Sequence, residues 1–221
     1  MEFLHYPFPA RNYSASAENR MITRSGANFS TPPGDNAAAP WQDRPTMHQL
    51  LLLRHAKSSW DTGVPDRDRP LNARGRRAAV AMRRALRELG LAPDLILVSS
   101  AKRTIETMSA LEPWDDTPLV EPMDDLYLAS AALLLGTIQS VAETVRAVLL
   151  IGHNPGMHDL AAALTDPRTS AEKLVRGVHD GFPTGALAEF SIARPWSRLV
   201  EGGGRLTRFL TPKMLDAAEQ R

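Results

Sequence analysis

The sequence predicts an α/β fold, a three-layer α/β/α sandwich around a mostly parallel central sheet. Short apolar runs alternate along the chain with amphipathic segments of helical period. The centres of the runs at 48–54, 94–100 and 146–152 lack alternating polar positions, as is typical of strands buried on both faces. Strands and helices in alternation indicate a parallel sheet that helices cover on both sides.

The first half of the domain is predicted to contain two strands and two helices in alternation. They lie at 48–54, 72–90, 94–100 and 101–111. Asn72 is placed as the N-cap of the first helix, because its side chain can accept a hydrogen bond from the first turn. Gly90 is placed as the stop of that helix.

The second half is predicted to contain a brief strand, a helix, a strand, two helices and a pair of strands. These elements lie at 118–121, 130–145, 146–152, 157–165, 170–178, 185–192 and 205–210. The last two strands alternate apolar and polar residues and are separated by a Gly-rich stretch. They are therefore predicted to form a long hairpin.

Residues 1–46 are rich in Ser, Asn, Pro, Gly and Ala and show no apolar periodicity. Such a stretch buries too little apolar surface to offset the entropy of ordering it, so we predict a disordered N-terminal extension. The folded domain is predicted to span 47–221, and Met47 would make a natural start directly before the first strand. A docking function for the extension is the alternative.

Composition excludes several classes of function. The 26 basic and 25 acidic residues give a net charge of +1, so nothing in the overall charge favours nucleic acid or an anionic membrane as a partner. The absence of cysteine excludes disulfides, thiolate catalysis and cysteine-ligated zinc. The sequence shows neither a secretory signal nor a membrane-spanning run, so a cytoplasmic location is predicted.

Three of the predicted strands end in polar residues of the same kind. The first runs into Arg54 and His55, the second reaches Arg103 after a serine pair, and the third runs into His153. In sheets of this class, ligands bind beyond the carboxyl ends of the strands. The sequence therefore predicts that two arginines and two histidines converge on one pocket.

These residue types point to phosphoryl chemistry. The planar arginine fork matches phosphate oxygens and keeps its charge, and the N-termini of the following helices favour anions. Neighbouring guanidinium charges are expected to disfavour the protonated form of His55, which leaves it neutral and able to attack phosphorus. We predict that the site needs no metal or other cofactor, because the arginines supply the positive charge.

In the residues that follow these strands, the chain resembles the histidine phosphatase superfamily, and within it the small SixA-like phosphohistidine phosphatases. The matching stretches are Arg54-His55, "SSAKRTIET" at 99–107, "LLIGHNP" at 149–155 and "DRDRPLNARG" at 66–75. The resemblance covers about 47–212 and implies a phosphoglycerate mutase-like fold. It also implies that His55 becomes phosphorylated while Arg54, Arg103 and His153 hold the phosphate.

The resemblance further implies a carboxylic acid that protonates the leaving group. The candidates lie in "EPMDDLYLAS", with Asp125 favoured and Asp124 and Glu121 behind it. The preferred substrate is phosphohistidine on a protein, with a histidine-phosphotransfer domain as one candidate, because an imidazole departs with less help than an alkoxide. An open pocket would fit such a substrate.

Two other functions remain open at this level. One is a phosphatase or mutase that acts on a small phosphoester with a stronger acid, and the other is a binder of phosphate or phosphoprotein without turnover. The first helix carries a basic face, which is either solvated or a docking surface for an acidic protein; its arginines are Arg76, Arg77, Arg83, Arg84 and Arg87. The sequence leaves the oligomeric state open.

Overall fold

The computed structural model describes residues 47–60, 63–114 and 117–219. The extension predicted to be disordered, 1–46, lies outside these residues, so that prediction stays untested. None of the helices in the described ranges is long and apolar enough to cross a membrane.

A six-stranded sheet forms the middle layer, in the order β3-β2-β4-β1-β5-β6. Its strands are β1 (His48–Arg54), β2 (Leu95–Ser99), β3 (Leu119–Met123), β4 (Ala147–Gly152), β5 (Leu187–Ile192) and β6 (Gly204–Leu210). The first four strands are parallel to one another. At one end of the sheet, β5 pairs antiparallel with β1, and β6 pairs antiparallel with β5. The predicted mostly parallel sheet and the final strand pair are both confirmed.

Within the described residues, six α-helices flank the sheet. They are α1 (Ala73–Glu88), α2 (Lys102–Leu111), α3 (Ala131–Gln139), α4 (Gly156–Leu164), α5 (Glu172–Asp180) and α6 (Pro212–Glu219). Alternate residues of β1 separate two cores: Leu50 and Leu52 belong to one that includes residues of α3, α4 and α5, whereas Leu51 and Leu53 belong to one that includes residues of α1 and α2. This arrangement confirms the three-layer α/β/α prediction.

Three details differ from the prediction. The helix expected to reach 145 ends at Gln139, and the carboxylate of Glu143 instead accepts hydrogen bonds from the backbone N–H groups of Trp196 and Ser197. Leu89, inside the range 72–90 predicted for the first helix, instead follows the helix as its C-cap residue and is 39% exposed. The helix α6 was not predicted.

The basic face of α1 is partly used within the domain. Arg83 and Arg87 donate to the backbone carbonyls of Glu112 and Pro113 at the end of α2, at 2.7 and 2.6 Å. These bonds favour a structural role for this part of the face over the docking alternative.

The register of the parallel strands sets the position of the site. Arg54 pairs with Gly152, and Val98 pairs with Ile151, so the carboxyl ends of β1, β2 and β4 lie level with one another. The backbone N–H of His55 donates to the Gly152 carbonyl at 3.1 Å, which extends the β1–β4 pairing to His55.

Gly75 allows α1 to lie directly against the segment that carries His55. A Cβ atom at this position would lie 2.0 Å from the carbonyl oxygen of Lys57. The same carbonyl accepts a hydrogen bond from the N–H of Asn72 at 3.0 Å, while the Asn72 side chain caps α1 as predicted.

We therefore expect Gly75→Ala to lower the free energy of unfolding by about 1–3 kcal/mol, because backbone must move to admit the methyl group. Urea denaturation measures this change. Gly136→Ala, within α3 where no atom lies within 4 Å of the added carbon, is the matched control and should be neutral or slightly stabilising. Equal effects of the two substitutions would contradict the assignment.

Candidate active site

A cavity of about 370 Å³ lies beyond the carboxyl ends of β1, β2 and β4. The four residues predicted to contact phosphate all line it: Arg54, His55, Arg103 and His153. The structure therefore brings together side chains that the sequence separates widely.

The backbone and the imidazole of His55 are both held in place. Thr107 of α2 accepts a hydrogen bond from the Ala56 N–H at 3.0 Å. The Nδ1 atom of His55 lies 2.7 Å from the Ala56 carbonyl oxygen. Because a carbonyl can only accept, Nδ1 carries the proton, and Nε2 keeps a free electron pair in the neutral ring. This tautomer is the one that a nucleophilic Nε2 requires.

Burial lowers the pKa of His55 to about 4. It is the largest cause, whereas the hydrogen bond to Ala56 raises the value and the charges of Arg103, Arg54 and Arg69 lower it by smaller amounts. The ring is therefore neutral at pH 7. The sequence argument had the correct direction, but it attributed the effect to the arginines rather than to desolvation.

The terminal nitrogen atoms of the two arginines donate hydrogen bonds to other described residues of the protein, whereas their Nε atoms do not. Arg54 donates from Nη1 to the Phe182 carbonyl at 2.8 Å. Arg103, with only 2% of its surface exposed, donates to the backbone carbonyl of Asp66 at 2.6 Å and to its carboxylate at 3.0 Å. The Nε atoms of both arginines are buried and have no partner among the described residues.

His153 lies beside His55, with 5.2 Å between the ring centroids. Its Nε2 is 2.8 Å from the hydroxyl of Ser99 at the end of β2, while its Nδ1 is buried without a partner in the described ranges. Burial, followed by the proximity of His55 and Arg103, lowers the pKa of His153 to about 3. If the serine hydroxyl donates to Nε2, then Nδ1 carries a proton and is a further donor.

Three of the residues that line the cavity each carry a buried nitrogen atom without a partner among the described residues: Nε of Arg54, Nε of Arg103 and Nδ1 of His153. Buried polar groups in folded proteins are nearly always paired, and leaving one unpaired costs about 1–3 kcal/mol. The two guanidinium groups on the lining favour an oxyanion next to the imidazole of His55. The arrangement is therefore suited to a tetrahedral anion that the imidazole can attack.

Asp66 was not predicted as a site residue, although it connects three side chains of the cavity lining by hydrogen bonds. Its carboxylate accepts hydrogen bonds from Arg103, from Arg69 at 2.9 Å and from the Tyr127 hydroxyl at 2.6 Å. The bond from Tyr127, followed by the charge of Arg103 and the bond from Arg69, lowers the pKa of Asp66 to about 2, while desolvation opposes this. The stretch at 66–75, which resembles the family, contains Asp66 and Arg69 at i,i+3 spacing. This spacing could have predicted the ion pair between them.

An aromatic side chain stands at the rim of the cavity. Trp60 is 71% exposed, and the guanidinium carbon of Arg69 lies 3.7 Å from its ring centroid. Leu128, also on the cavity wall, is exposed as well and has a left-handed backbone φ of 52°. In the described part of the chain, the rim is therefore open and partly apolar.

The structure does not bring the predicted acid to the cavity wall. Asp125, Asp124 and Glu121 are exposed and lie outside the lining, and Asp124 accepts hydrogen bonds from Ser100 and Arg67. Among the described lining residues, Asp66 is the carboxylate, and its low pKa keeps it ionised at pH 7. The acid role of Asp125 stays an untested prediction that its placement does not favour.

Comparisons with known proteins place the chain in one family. The family model of the histidine phosphatase superfamily (branch 1) matches residues 50–126. An uncharacterized protein of Mycobacterium tuberculosis is 30% identical over 161 residues, which cover 73% of this chain and 100% of the relative.

Two solved structures are similar over most of the domain. Each carries the provisional name of phosphohistidine phosphatase SixA. The protein from Agrobacterium tumefaciens has 32% identity and a TM-score of 0.61, with 75% of this chain and 98% of that chain covered. The protein from Nakamurella multipartitia has 28% identity and a TM-score of 0.67, with 75% and 96% covered.

We expect NMR titration of the His55 ring to give a pKa near 4, well below the ordinary 6.5. Because desolvation is the main cause, raising the salt concentration from 0.05 to about 0.5 M should hardly change this value. A value that rises toward 6.5 in high salt would show instead that the arginine charges dominate.

Proposed function

Because the chain belongs to the histidine phosphatase superfamily (branch 1), we propose that it is a phosphatase acting on phosphohistidine carried by a protein. The observation that carries the proposal is the convergence of Arg54, Arg103 and His153 with the neutral imidazole of His55 on the wall of one cavity. Donors already in position for developing negative charge account for much of the rate enhancement in such sites.

The first step transfers the phosphoryl group to the enzyme. Nε2 of His55 forms a bond to phosphorus while the P–N bond of the substrate breaks, and the departing nitrogen takes the electron pair of that bond. Nδ1 of His55 keeps its proton and its hydrogen bond to the Ala56 carbonyl throughout. Arg54, Arg103 and His153 hold the equatorial oxygens.

The second step regenerates the enzyme. A water oxygen forms a new bond to phosphorus, the P–Nε2 bond breaks, and His55 is released neutral. Both protons of the water leave with the orthophosphate, so Nε2 is again unprotonated. The positive charge that this chemistry requires is supplied by the two arginines.

The state of the carboxylates supports phosphohistidine over an alkyl phosphate. Asp66 is held ionised beside the cavity and cannot protonate a leaving alkoxide near pH 7. An imidazole has a pKa of about 6.5, so the substrate ring can carry its own proton and depart as neutral imidazole. A site without a protonated carboxyl is therefore sufficient for this substrate.

The open rim also supports a protein substrate. Trp60 and Leu128 present exposed apolar surface next to the phosphate site, where a macromolecule could contact them. The solved relatives with the provisional SixA name point to the same substrate class. The cytoplasmic location stays a prediction.

The direct test uses a histidine-phosphotransfer domain phosphorylated with phosphoramidate. Wild-type protein should release phosphate and show transient acid-labile label, whereas His55→Ala should lose activity by roughly 10³-fold or more, because the nucleophile is gone. His179→Ala, an exposed histidine outside this cavity, is the matched control and should keep full activity.

Two results would overturn this proposal. Faster turnover of small phosphoesters, with loss of activity in Asp125→Asn, would favour a small-molecule phosphatase or mutase. Phosphate binding without any hydrolysis would favour a non-catalytic binder.

A second substitution tests the donor on Arg103. Arg103→Lys keeps the charge but removes the Nε donor, so kcat should fall by about 10²–10³-fold. Arg67→Lys, at an exposed arginine outside the cavity lining, controls for the loss of a guanidinium and should change kcat little. Steady-state kinetics on the same phosphoprotein measures both, and equal kcat values would rule out this role for Arg103.

A further inference from the structure

A second cavity, of about 310 Å³, adjoins the one at His55 and shares Lys57 and Thr184 with it. Lys57 is two residues from His55, and its backbone is held against the start of α1 by the contacts at Asn72 and Gly75. The position of the second cavity relative to the nucleophile is therefore fixed by the same contacts that hold the His55 segment.

The charged residues on the wall of this second cavity are all positive. They are Lys57, Arg74 and Lys213, all exposed. None of the three side chains has a hydrogen bond or ion pair to another described residue, and no Asp or Glu lines the cavity. The remaining wall is largely formed by Ala78, Pro183 and Pro212, so little within the described residues offsets this positive charge.

The backbone around these cations adds to the positive potential. Arg74 and Lys213 are the second residues of α1 and α6, and neither helix has an acidic residue in its first turn. A positive side chain at the positive end of a helix dipole is unfavourable, whereas an anion at the same end is favourable. Cations at helix N-termini do not stabilise the folded state, and features that lower stability in this way are expected mainly at functional sites.

From this cavity we propose a second anionic subsite, which binds carboxylate side chains of the substrate protein close to its phosphorylated residue. The inference rests on the proposed function. The exposed cations lie on three separate segments around an apolar floor, unlike the buried, converging donors that hold phosphate at His55. Such a surface suits Asp or Glu side chains on a protein rather than a second, enclosed phosphate.

The test uses two synthetic peptides that each carry one phosphohistidine, flanked by Glu in one and by Gln in the other. Binding is measured by fluorescence anisotropy on the His55→Ala variant, which removes turnover. In 0.05 M salt we expect about tenfold tighter binding of the Glu peptide, and in 0.5 M salt a ratio near one, because exposed charges are screened.

Adding Arg74→Gln and Lys213→Gln to His55→Ala should reduce the tenfold ratio to less than twofold. The matched control adds Arg198→Gln and Lys173→Gln, which remove the same charges from exposed positions outside both cavities. This control should keep the tenfold ratio. Two results would overturn the subsite. One is a ratio of Glu-peptide to Gln-peptide affinity near one for His55→Ala alone, called the parent variant. The other is a tenfold ratio that remains after Arg74→Gln and Lys213→Gln are added.

Turnover by the wild-type protein separates the two proposals. If it dephosphorylates both peptides at equal kcat/KM and the parent variant binds them equally, the subsite is wrong and the proposed function stands. If it dephosphorylates neither peptide while the binding ratio and its loss are as expected, the proposed function is wrong and the subsite stands.

Discussion

The hydrogen bond from Nδ1 of His55 to the neighbouring Ala56 carbonyl is the interaction on which the chemistry of this site depends. It fixes the tautomer and aims the free electron pair of Nε2. Thr107 accepts a hydrogen bond from the N–H of the same residue, Ala56, and the nearby Lys57 carbonyl lies against Gly75 on α1. Two helices from one layer therefore restrain a single short segment after β1, and a rigid segment would keep the proposed nucleophile in position.

The ion pair between Arg103 and Asp66 shows how the domain accommodates a buried cation. Arg103 is almost fully buried, and an isolated charge in that position would carry a large desolvation cost. Asp66 compensates this charge through one edge of the guanidinium and leaves Nε unpaired. Phosphate and Asp66 can thus bind the same arginine through different nitrogen atoms, so the site is electrostatically stable both when empty and when filled.

The apolar strands and the residues at their carboxyl ends could be predicted from the sequence, because a parallel sheet places those ends at one edge. Arg54, His55, Arg103 and His153 follow from this rule alone. Asp66 and Tyr127 could not be placed, because they are 61 positions apart and meet through irregular segments with no periodic pattern. The early end of α3 was missed for a similar reason, since Glu143 is held by backbone groups of Trp196 and Ser197 far along the chain.

The strand order has a consequence for how the protein folds. β1 precedes the other strands in the chain but lies between β4 and β5, so Gln49 pairs with Ala147 and His48 pairs with Ile192. During synthesis, the strand that leads into the nucleophile has no sheet neighbour until most of the domain has been made. Long-range pairings of this kind slow folding and leave apolar segments exposed in the meantime. The sheet edge with the proposed active site can therefore form only after β4 has been synthesised, although its first strand is made early.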